Sequence, residues 1–119
     1  MQIPSFLLRK LYIKGSLENV EGGFSFKLKN SLSPGTTTAV APIKVNGNEY
    51  SLDSTTIRSG DIEILGSDIS EENTFPIKVG VEIEIFIAAD PLPEGEHTLD
   101  LSLKTKEAGT LAFDVKDSI

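Results

Sequence analysis

The sequence predicts an all-β fold, an antiparallel two-layer β-sandwich of about eight strands, either immunoglobulin-like or jelly-roll-like. Three observations support this prediction. Apolar and polar residues alternate with period two through much of the chain, and no segment of ten residues or more has a helical period. Turn signals rich in glycine, proline and asparagine separate the alternating stretches. The length of 119 residues corresponds to a single domain, which we expect to span residues 1–119.

The first half of the chain supplies an opening strand, a half-buried strand and a hairpin. The stretch "FLLRKLYIK" at 6–14 predicts the opening strand, although its alternation is less regular. In "GFSFKLK", residues 23–29, every second residue is Phe or Leu, which predicts one buried and one exposed face. The dipeptide Asn46-Gly47 between apolar residues predicts a type I′ hairpin.

The second half supplies four more strands. "DIEIL" at 61–65 is short, and "IKVGVEIEIFI" at 77–87 predicts one long strand with its isoleucines and valines inward. Residues 97–105 and 110–116 alternate in the same way, and "EAG" between them predicts a hairpin that pairs these two strands. The longest connection expected in the fold is 66–75.

Composition excludes several classes of function. The chain has no cysteine, so neither a disulfide framework nor a thiolate site exists. A net charge of −7 disfavours nucleic acid and anionic membranes as partners, and without a signal peptide or an apolar run of membrane length we expect a cytoplasmic protein. Basic residues dominate 1–30 and acidic residues the remainder. This asymmetry fits either a solvated surface or a basic patch that meets an acidic patch on a neighbouring subunit.

His97, the only histidine, is the residue best suited to chemistry near neutral pH. It follows the turn "PLPEG" and shares the parity of Leu99 and Leu101, so its ring should point toward the core. A structural corner residue bonded to nearby backbone is therefore the favoured interpretation, by analogy with the tyrosine corner. A ligand contact and catalysis are the alternatives, and no serine lies in a nucleophile-elbow motif.

The carboxylates offer two further candidate sites. Glu82 and Glu84 share the outward face of one strand, a spacing that suits a glycosidase pair or a divalent cation but is also normal for an exposed strand. The candidate metal ligands in the connection 66–75 are Asp68, Glu71 and Glu72, at which calcium would bind. No nucleotide-binding, phosphate-binding or metalloprotease motif is present, so we expect no cofactor.

Apolar residues on both faces of the same strand indicate an interface. The candidates are Leu8 and Tyr12 in the opening strand and Phe86 on the outward face of 77–87. Because a sheet that is apolar on both faces buries its second face against something, we expect self-association or a protein partner.

Four stretches, in the order "FLLRKLY", "GFSFKLK", "IKVNGNEYSL" and "LPEGEHTLDLSL", give the chain a resemblance to the small β-subunits of C-glycoside deglycosidases. The resemblance implies a small β-sandwich subunit that assembles with a larger, metal-dependent barrel subunit carrying the chemistry. The chain has Asn46-Gly47 where that family is expected to have Asp-Gly. All four stretches are strand and turn signatures, so no catalytic residue is carried over.

The leading hypothesis is therefore a non-catalytic interaction module, either a homo-oligomer or the small subunit of a larger enzyme. One alternative is a stand-alone carbohydrate-active lyase or isomerase that uses His97 with carboxylates such as Glu94, Glu96 or Asp100. Another is a calcium-binding or ligand-binding module built from the loops 66–75 and 90–96.

Overall fold

Two antiparallel sheets pack face to face in the computed structural model, which describes residues 3–31 and 34–119. Within those residues the helical elements are α1 (Ser5–Leu8) and the 3₁₀ turns Arg9–Leu11, Leu52–Ser54 and Gly66–Asp68. The strands are β1 (Glu18–Val20), β2 (Gly23–Lys29), β3 (Gly35–Val40), β4 (Lys44–Val45), β5 (Asn48–Glu49), β6 (Thr55–Ser59), β7 (Ile62–Leu65), β8 (Phe75–Ile77), β9 (Glu82–Ala88), β10 (Glu96–Thr105) and β11 (Gly109–Ser118).

The first sheet has the order β1-β2-β9-β6-β7, and every neighbouring pair is antiparallel. The second sheet is built around β10. One side of β10 pairs with β11 along its whole length, and the other side pairs first with β4 and then with β3. β5 and β8 extend the sheet beyond β4 and β3. The predicted all-β antiparallel sandwich is confirmed.

The alternating stretches behave as their pattern predicts. Residues 23–29 form β2, and the residues predicted at 97–105 and 110–116 form the long β10–β11 hairpin. The hairpin at Asn46-Gly47 is also confirmed, since both residues have the positive φ angles, 54° and 85°, of a type I′ turn. Between the sheets lies a core whose largest fully buried side chains include Phe24, Phe26, Ile87 and Leu99.

The prediction of an opening strand at 6–14 is wrong. The chain forms α1 and a 3₁₀ turn here, preceded by Pro4 with φ −59°. Leu8, in α1, and Tyr12, which is extended directly after the 3₁₀ turn with φ −77° and ψ 132°, both lie in the core. The apolar run is therefore a short helical segment followed by extended chain, with Leu8 and Tyr12 buried and Phe6 exposed.

The prediction of one long strand at 77–87 is also wrong. β8 ends at Ile77 and β9 begins at Glu82, and the two strands belong to different sheets. Gly80, with φ +82°, lies in the turn between them. Val79 is exposed and not inward as predicted, whereas the isoleucines of β9 are buried.

Three strands, β1, β3 and β6, carry too little apolar alternation to be recognised in the sequence. β3 and β6 are rich in threonine, and Thr37, Thr38 and Thr55 are buried. Threonine favours strands because it is β-branched, yet it leaves no apolar pattern. The estimate of about eight strands is low for this reason.

The N-terminal strap, residues 3–17, closes one open side of the sandwich by bonding to both sheets. On the first sheet, Ile13 N donates to Lys27 O at 3.0 Å, and Tyr12 forms a bridge with Leu28. On the second sheet, the Arg9 and Lys14 side chains donate to the carbonyl oxygens of Asp114 and Lys116 at 2.9 and 2.7 Å. The strap therefore ties the edge strand β11 to β2.

A buried carboxylate is the centre of this connection. Asp117 Oδ2 accepts from the Tyr12 hydroxyl at 2.6 Å, from Gly15 N at 2.9 Å and from Leu17 N at 3.3 Å. Its Oδ1 accepts from Ser118 N at 2.9 Å. Burial raises the pKa of Asp117, but these hydrogen bonds outweigh burial and hold its pKa below the usual value. Burial, followed by the bond to Asp117, raises the pKa of Tyr12.

Two basic residues of the first thirty form ion pairs with acidic residues elsewhere in the same chain. Arg9 pairs with Asp114 at 2.7 Å, and Lys27 pairs with Glu82 at 3.5 Å. The Arg9 guanidinium lowers the pKa of Asp114. At these positions the basic first segment meets acidic residues of its own chain.

Replacement of Asp117 by Asn should lower the free energy of unfolding by about 2–3 kcal/mol near neutral pH, because the charged acceptor of four hydrogen bonds is lost. The folded pKa is depressed, so this contribution is complete above the unfolded pKa of about 4 and disappears as the pH falls through the folded pKa. Urea unfolding of both proteins between neutral and acidic pH measures the difference. The exposed Asp100→Asn is the control, and a difference that does not shrink in acid would contradict the assignment.

Gly23→Ala should lower the free energy of unfolding by at least about 2 kcal/mol, because overpacking displaces backbone in a closely packed pair of strands. A Cβ at Gly23 would lie 2.0 Å from the carbonyl oxygen of Ile87. Gly35→Ala is the matched control, since its Cβ would meet only side-chain and carboxylate atoms at 3.9 Å. Equal denaturation midpoints for the two variants would contradict the close approach.

Candidate functional site

His97 lies at the start of β10 with its side chain in the core, and only 3% of the residue is exposed. Its neighbours of the same parity, Leu99 and Leu101, are buried as well. Across the hairpin His97 is in register with Asp117, so the two polar core residues lie side by side at the same end of the sandwich. The predicted inward orientation is confirmed.

Both ring nitrogens of His97 are engaged. Nδ1 lies 2.8 Å from Asn46 Nδ2, and Nε2 lies 2.7 Å from the carbonyl oxygen of Pro93. The Asn46 amide is itself oriented, because its Oδ1 accepts from Thr98 N at 2.9 Å. Asn46 Nδ2 can only donate and the Pro93 carbonyl can only accept, so the ring accepts at Nδ1 and donates from Nε2–H. This is the neutral ring in one tautomer, with no nitrogen left for a substrate.

The bond between His97 and Pro93, together with two bonds with Asn19, holds the loop 89–93 in place. Asn19 Nδ2 donates to Leu92 O at 2.9 Å, and its Oδ1 accepts from Leu92 N at 2.8 Å. Leu92 is buried, and the next residue, Pro93, is bonded to His97. The hydrogen bonds of the Asn19 and His97 side chains and the burial of Leu92 therefore fix this loop, which has no regular secondary structure.

A cleft of about 660 Å³ lies between this loop and the β4–β5 hairpin. Asn48, Tyr50 and Asp90 are among the residues that line it, together with Gly22 and the prolines of the loop. The Tyr50 ring packs edge-on against Phe24, with the ring centroids 5.4 Å apart. The cleft offers amide, phenol and carboxylate groups for hydrogen bonds. Its lining, taken from the described part of the chain, includes neither a lysine nor an arginine.

The opposite end of the sandwich is apolar. A groove of about 80 Å³ opens between the sheets there, lined mainly by side chains such as Leu11, Leu28, Leu103 and Leu111. Glu107 lies at its rim, where its carboxylate accepts from Thr36 N and Thr36 Oγ1. The bond from Thr36 N lowers the pKa of Glu107. These contacts give Glu107 a structural role at the start of β3.

The candidate metal ligands Asp68, Glu71 and Glu72 lie in and after the 3₁₀ turn Gly66–Asp68. In the described ranges no group of three or more His, Asp or Glu side chains lies close enough together to hold a metal ion. Asp68, Glu71 and Glu72 are exposed, and Asp68 uses its backbone carbonyl to accept from the Asn73 amide at 2.8 Å.

Glu82 and Glu84 lie on the exposed side of the first sheet, where each faces a cation. Glu84 bonds to Arg58 at 3.0 Å, and Glu82 pairs with Lys27. Glu94, Glu96 and Asp100, the other carboxylates considered with His97, are exposed, whereas the His97 ring points inward. No described carboxylate bonds to the ring.

The structure places two of the three predicted interface residues inside the domain. Leu8 and Tyr12 are covered by the chain's own core, and Phe86 is half-buried on the outer face of β9. Among the residues that the structure describes, the large apolar side chains that are exposed are Phe6, Ile62, Leu65 and Val79. Ile62 and Leu65 belong to a strand that the sequence did predict, but its position at a sheet edge is set by the tertiary structure.

Comparison with protein families gives a match over most of the chain. The model of the family described as "Hydroxymethylglutaryl-CoA reductase, N-terminal domain" matches residues 7–119. Among curated proteins none matches the chain. In the described part of the chain, no helix has the length and apolar character needed to cross a bilayer.

His97→Ala should lower the free energy of unfolding by about 2–3 kcal/mol, because it leaves the Pro93 carbonyl and the Asn46 amide without their partner. Chemical denaturation of both proteins measures the loss, and Glu94→Gln, a change in the same loop at an exposed side chain, is the control. An alanine variant as stable as the parent would show that His97 is not a structural residue.

Proposed function

The chain belongs to the family of hydroxymethylglutaryl-CoA reductase N-terminal domains, and on that premise we propose that it is a non-catalytic accessory module of a larger enzyme. The observation that carries the proposal is the family match over residues 7–119. The structure adds support, because its one histidine is buried with both ring nitrogens engaged. The chemistry would then belong to another polypeptide or domain, and this fold would bind to it.

The exposed apolar side chains favour a binding role. Phe6, Ile62, Leu65 and Val79 are each at least 40% exposed, and two of them, Ile62 and Leu65, share the strand β7. Burial of such side chains against a partner contributes about 25 cal/mol per Å² of apolar surface. Self-association would cover the same residues, so a homo-oligomer is the second form of this proposal.

A more specific form follows from the resemblance to the β-subunits of C-glycoside deglycosidases. In that form the partner is a larger, metal-dependent barrel subunit, and this chain is its small β-sandwich subunit. The four stretches that carry the resemblance include β2, the β4–β5 hairpin and the start of β10. The β4–β5 hairpin, and Leu92 and Pro93 of the fourth stretch, line the cleft that contains Asn48, Tyr50 and Asp90, so the cleft is the part of this chain that would face such a partner.

Co-expression with the polypeptides encoded beside the chain tests the proposal. Native mass spectrometry should show a mixed complex, and the chain alone should not convert hydroxymethylglutaryl-CoA. Activity of the complex on hydroxymethylglutaryl-CoA supports the reductase form, and release of sugar from a C-glycoside supports the deglycosidase form. A chain that stays monomeric in every mixture, or that turns over either compound alone, would overturn the accessory role.

A further inference from the structure

The outer edge of β7 is an unusual feature of this fold. β7 pairs with β6 on one side, and the described residues supply no strand on its other side. Its side chains Ile62 and Leu65 are 47% and 40% exposed. An exposed edge strand with apolar side chains is a template for a further strand.

Other edges of the two sheets are blocked or short. Arg9 and Lys14 cover the carbonyl groups of β11. β8 contains Pro76, which has no N–H to donate. β5 has only two residues, and β1 has three, of which Glu18 and Asn19 are exposed and polar. β7 therefore stands out among the edges that the structure describes.

The backbone groups that face outward on β7 can be identified. Gly60, with φ +60°, is the first central residue of a two-residue turn between Ser59 and Ile62, as in a type II′ hairpin. This turn makes Ser59–Ile62 and Ile57–Ile64 the hydrogen-bonded pairs. Glu63 and Leu65 consequently direct their N–H and C=O groups away from β6.

The hydrogen bonds between β2 and β9 lead to the same assignment of inward-facing and outward-facing backbone groups on β7. Asn30 N donates to Val81 O and Ala89 N donates to Gly22 O, so the odd-numbered residues of β9 bond to β2. The even-numbered residues of β9 then bond to β6, and the odd-numbered residues of β6 bond to β7. The assignment of Glu63 and Leu65 as outward-facing is therefore independent of the turn.

A row of alternating charges crosses the exposed face of this sheet and ends at the same edge. Lys27, Glu84, Arg58 and Glu63 are neighbours in register from β2 to β7. Arg58 contacts Glu84 at 3.0 Å and Glu63 at 3.3 Å. On a strand added beside β7, the residue opposite Glu63 would be the next in this row. A lysine or arginine at that position would continue the alternation of charges.

We propose that the edge of β7 binds an extended antiparallel segment of another protein, with a lysine or arginine opposite Glu63 and apolar residues opposite Ile62, Ile64 and Leu65. The proposal rests on the proposed function and specifies how the accessory module would dock. A second copy is the poorer occupant. Antiparallel pairing of two β7 strands about Ile64 sets Leu65 against Glu63, and each copy carries a net charge of −7.

A pair of blocked peptides tests the charge requirement. The first has the sequence threonine-valine-isoleucine-lysine-valine-threonine, and the second has glutamate in place of lysine. Titration followed by NMR should shift amide signals of β7, with binding of the lysine peptide about fivefold tighter than that of the glutamate peptide. Glu63→Lys should reverse this preference. Glu49→Lys, the same charge change on the edge strand β5, should leave it unchanged.

A proline substitution tests the backbone requirement. Leu65 has φ −74°, which proline adopts, and its N–H faces away from β6, so Leu65→Pro removes an outward donor without breaking the hairpin. Leu65→Ala removes the same apolar side chain and keeps the donor. The proline variant should bind the lysine peptide up to about tenfold more weakly than the alanine variant. Melting temperatures of all variants establish that they are folded.

Four outcomes would overturn the proposal: equal affinity for both peptides, equal affinity of the two Leu65 variants, shifts confined to another surface, or no binding. A dimer lost only in Leu65→Pro would make a second copy the occupant instead. A mixed enzyme complex that forms equally well with Leu65→Pro would leave the accessory role standing and remove β7 from it. Peptide binding without any mixed complex would leave the edge site standing and remove the accessory role.

Discussion

The buried hydrogen bonds of Asp117 are the interaction on which the rest of the structure depends. An isolated carboxylate in a core is costly, and this one is stable because four donors converge on it. Three of the donors belong to the N-terminal strap, 100 to 105 positions earlier in the chain. These hydrogen bonds therefore join the last strand to the N-terminal strap. Without them, the Asp117 carboxylate and the donors of the strap would both lose their partners.

The strap also decides which surfaces remain available. Arg9 and Lys14 bond to the outer carbonyl groups of β11, and Leu8 and Tyr12 fill the space between the sheets. Without these contacts the longest edge of the fold would be open to other chains. The strap does not reach the far edge of the first sheet. There the backbone N–H and C=O groups of Glu63 and Leu65 in β7 face outward, and Glu63 is the last charge of the row that crosses the sheet. Protection at one edge and exposure at another are thus built into the same fold.

His97 shows how a residue suited to chemistry can serve the fold. Its ring joins the β4–β5 hairpin through Asn46 to the loop 89–93 through Pro93. Asn19 holds the same loop from the first sheet, so one end of the sandwich has a fixed shape despite its lack of regular structure. A preformed surface lowers the entropy lost on binding, which would favour the docking role that we propose. This role agrees with membership of a family of N-terminal domains of an enzyme.

The sequence by itself determined the fold class, the pairing of the last two strands, the Asn46-Gly47 hairpin and the inward direction of His97, because each follows from local alternation or turn chemistry. It failed at 6–14 and 77–87, where short apolar runs fit both a strand and another structure. The partners of His97 and Asp117, the burial of Leu8 and Tyr12 and the exposed edge of β7 were decided only by the tertiary structure. Each of these depends on contacts between residues far apart in the chain, and the spacing of apolar residues carries no record of such contacts.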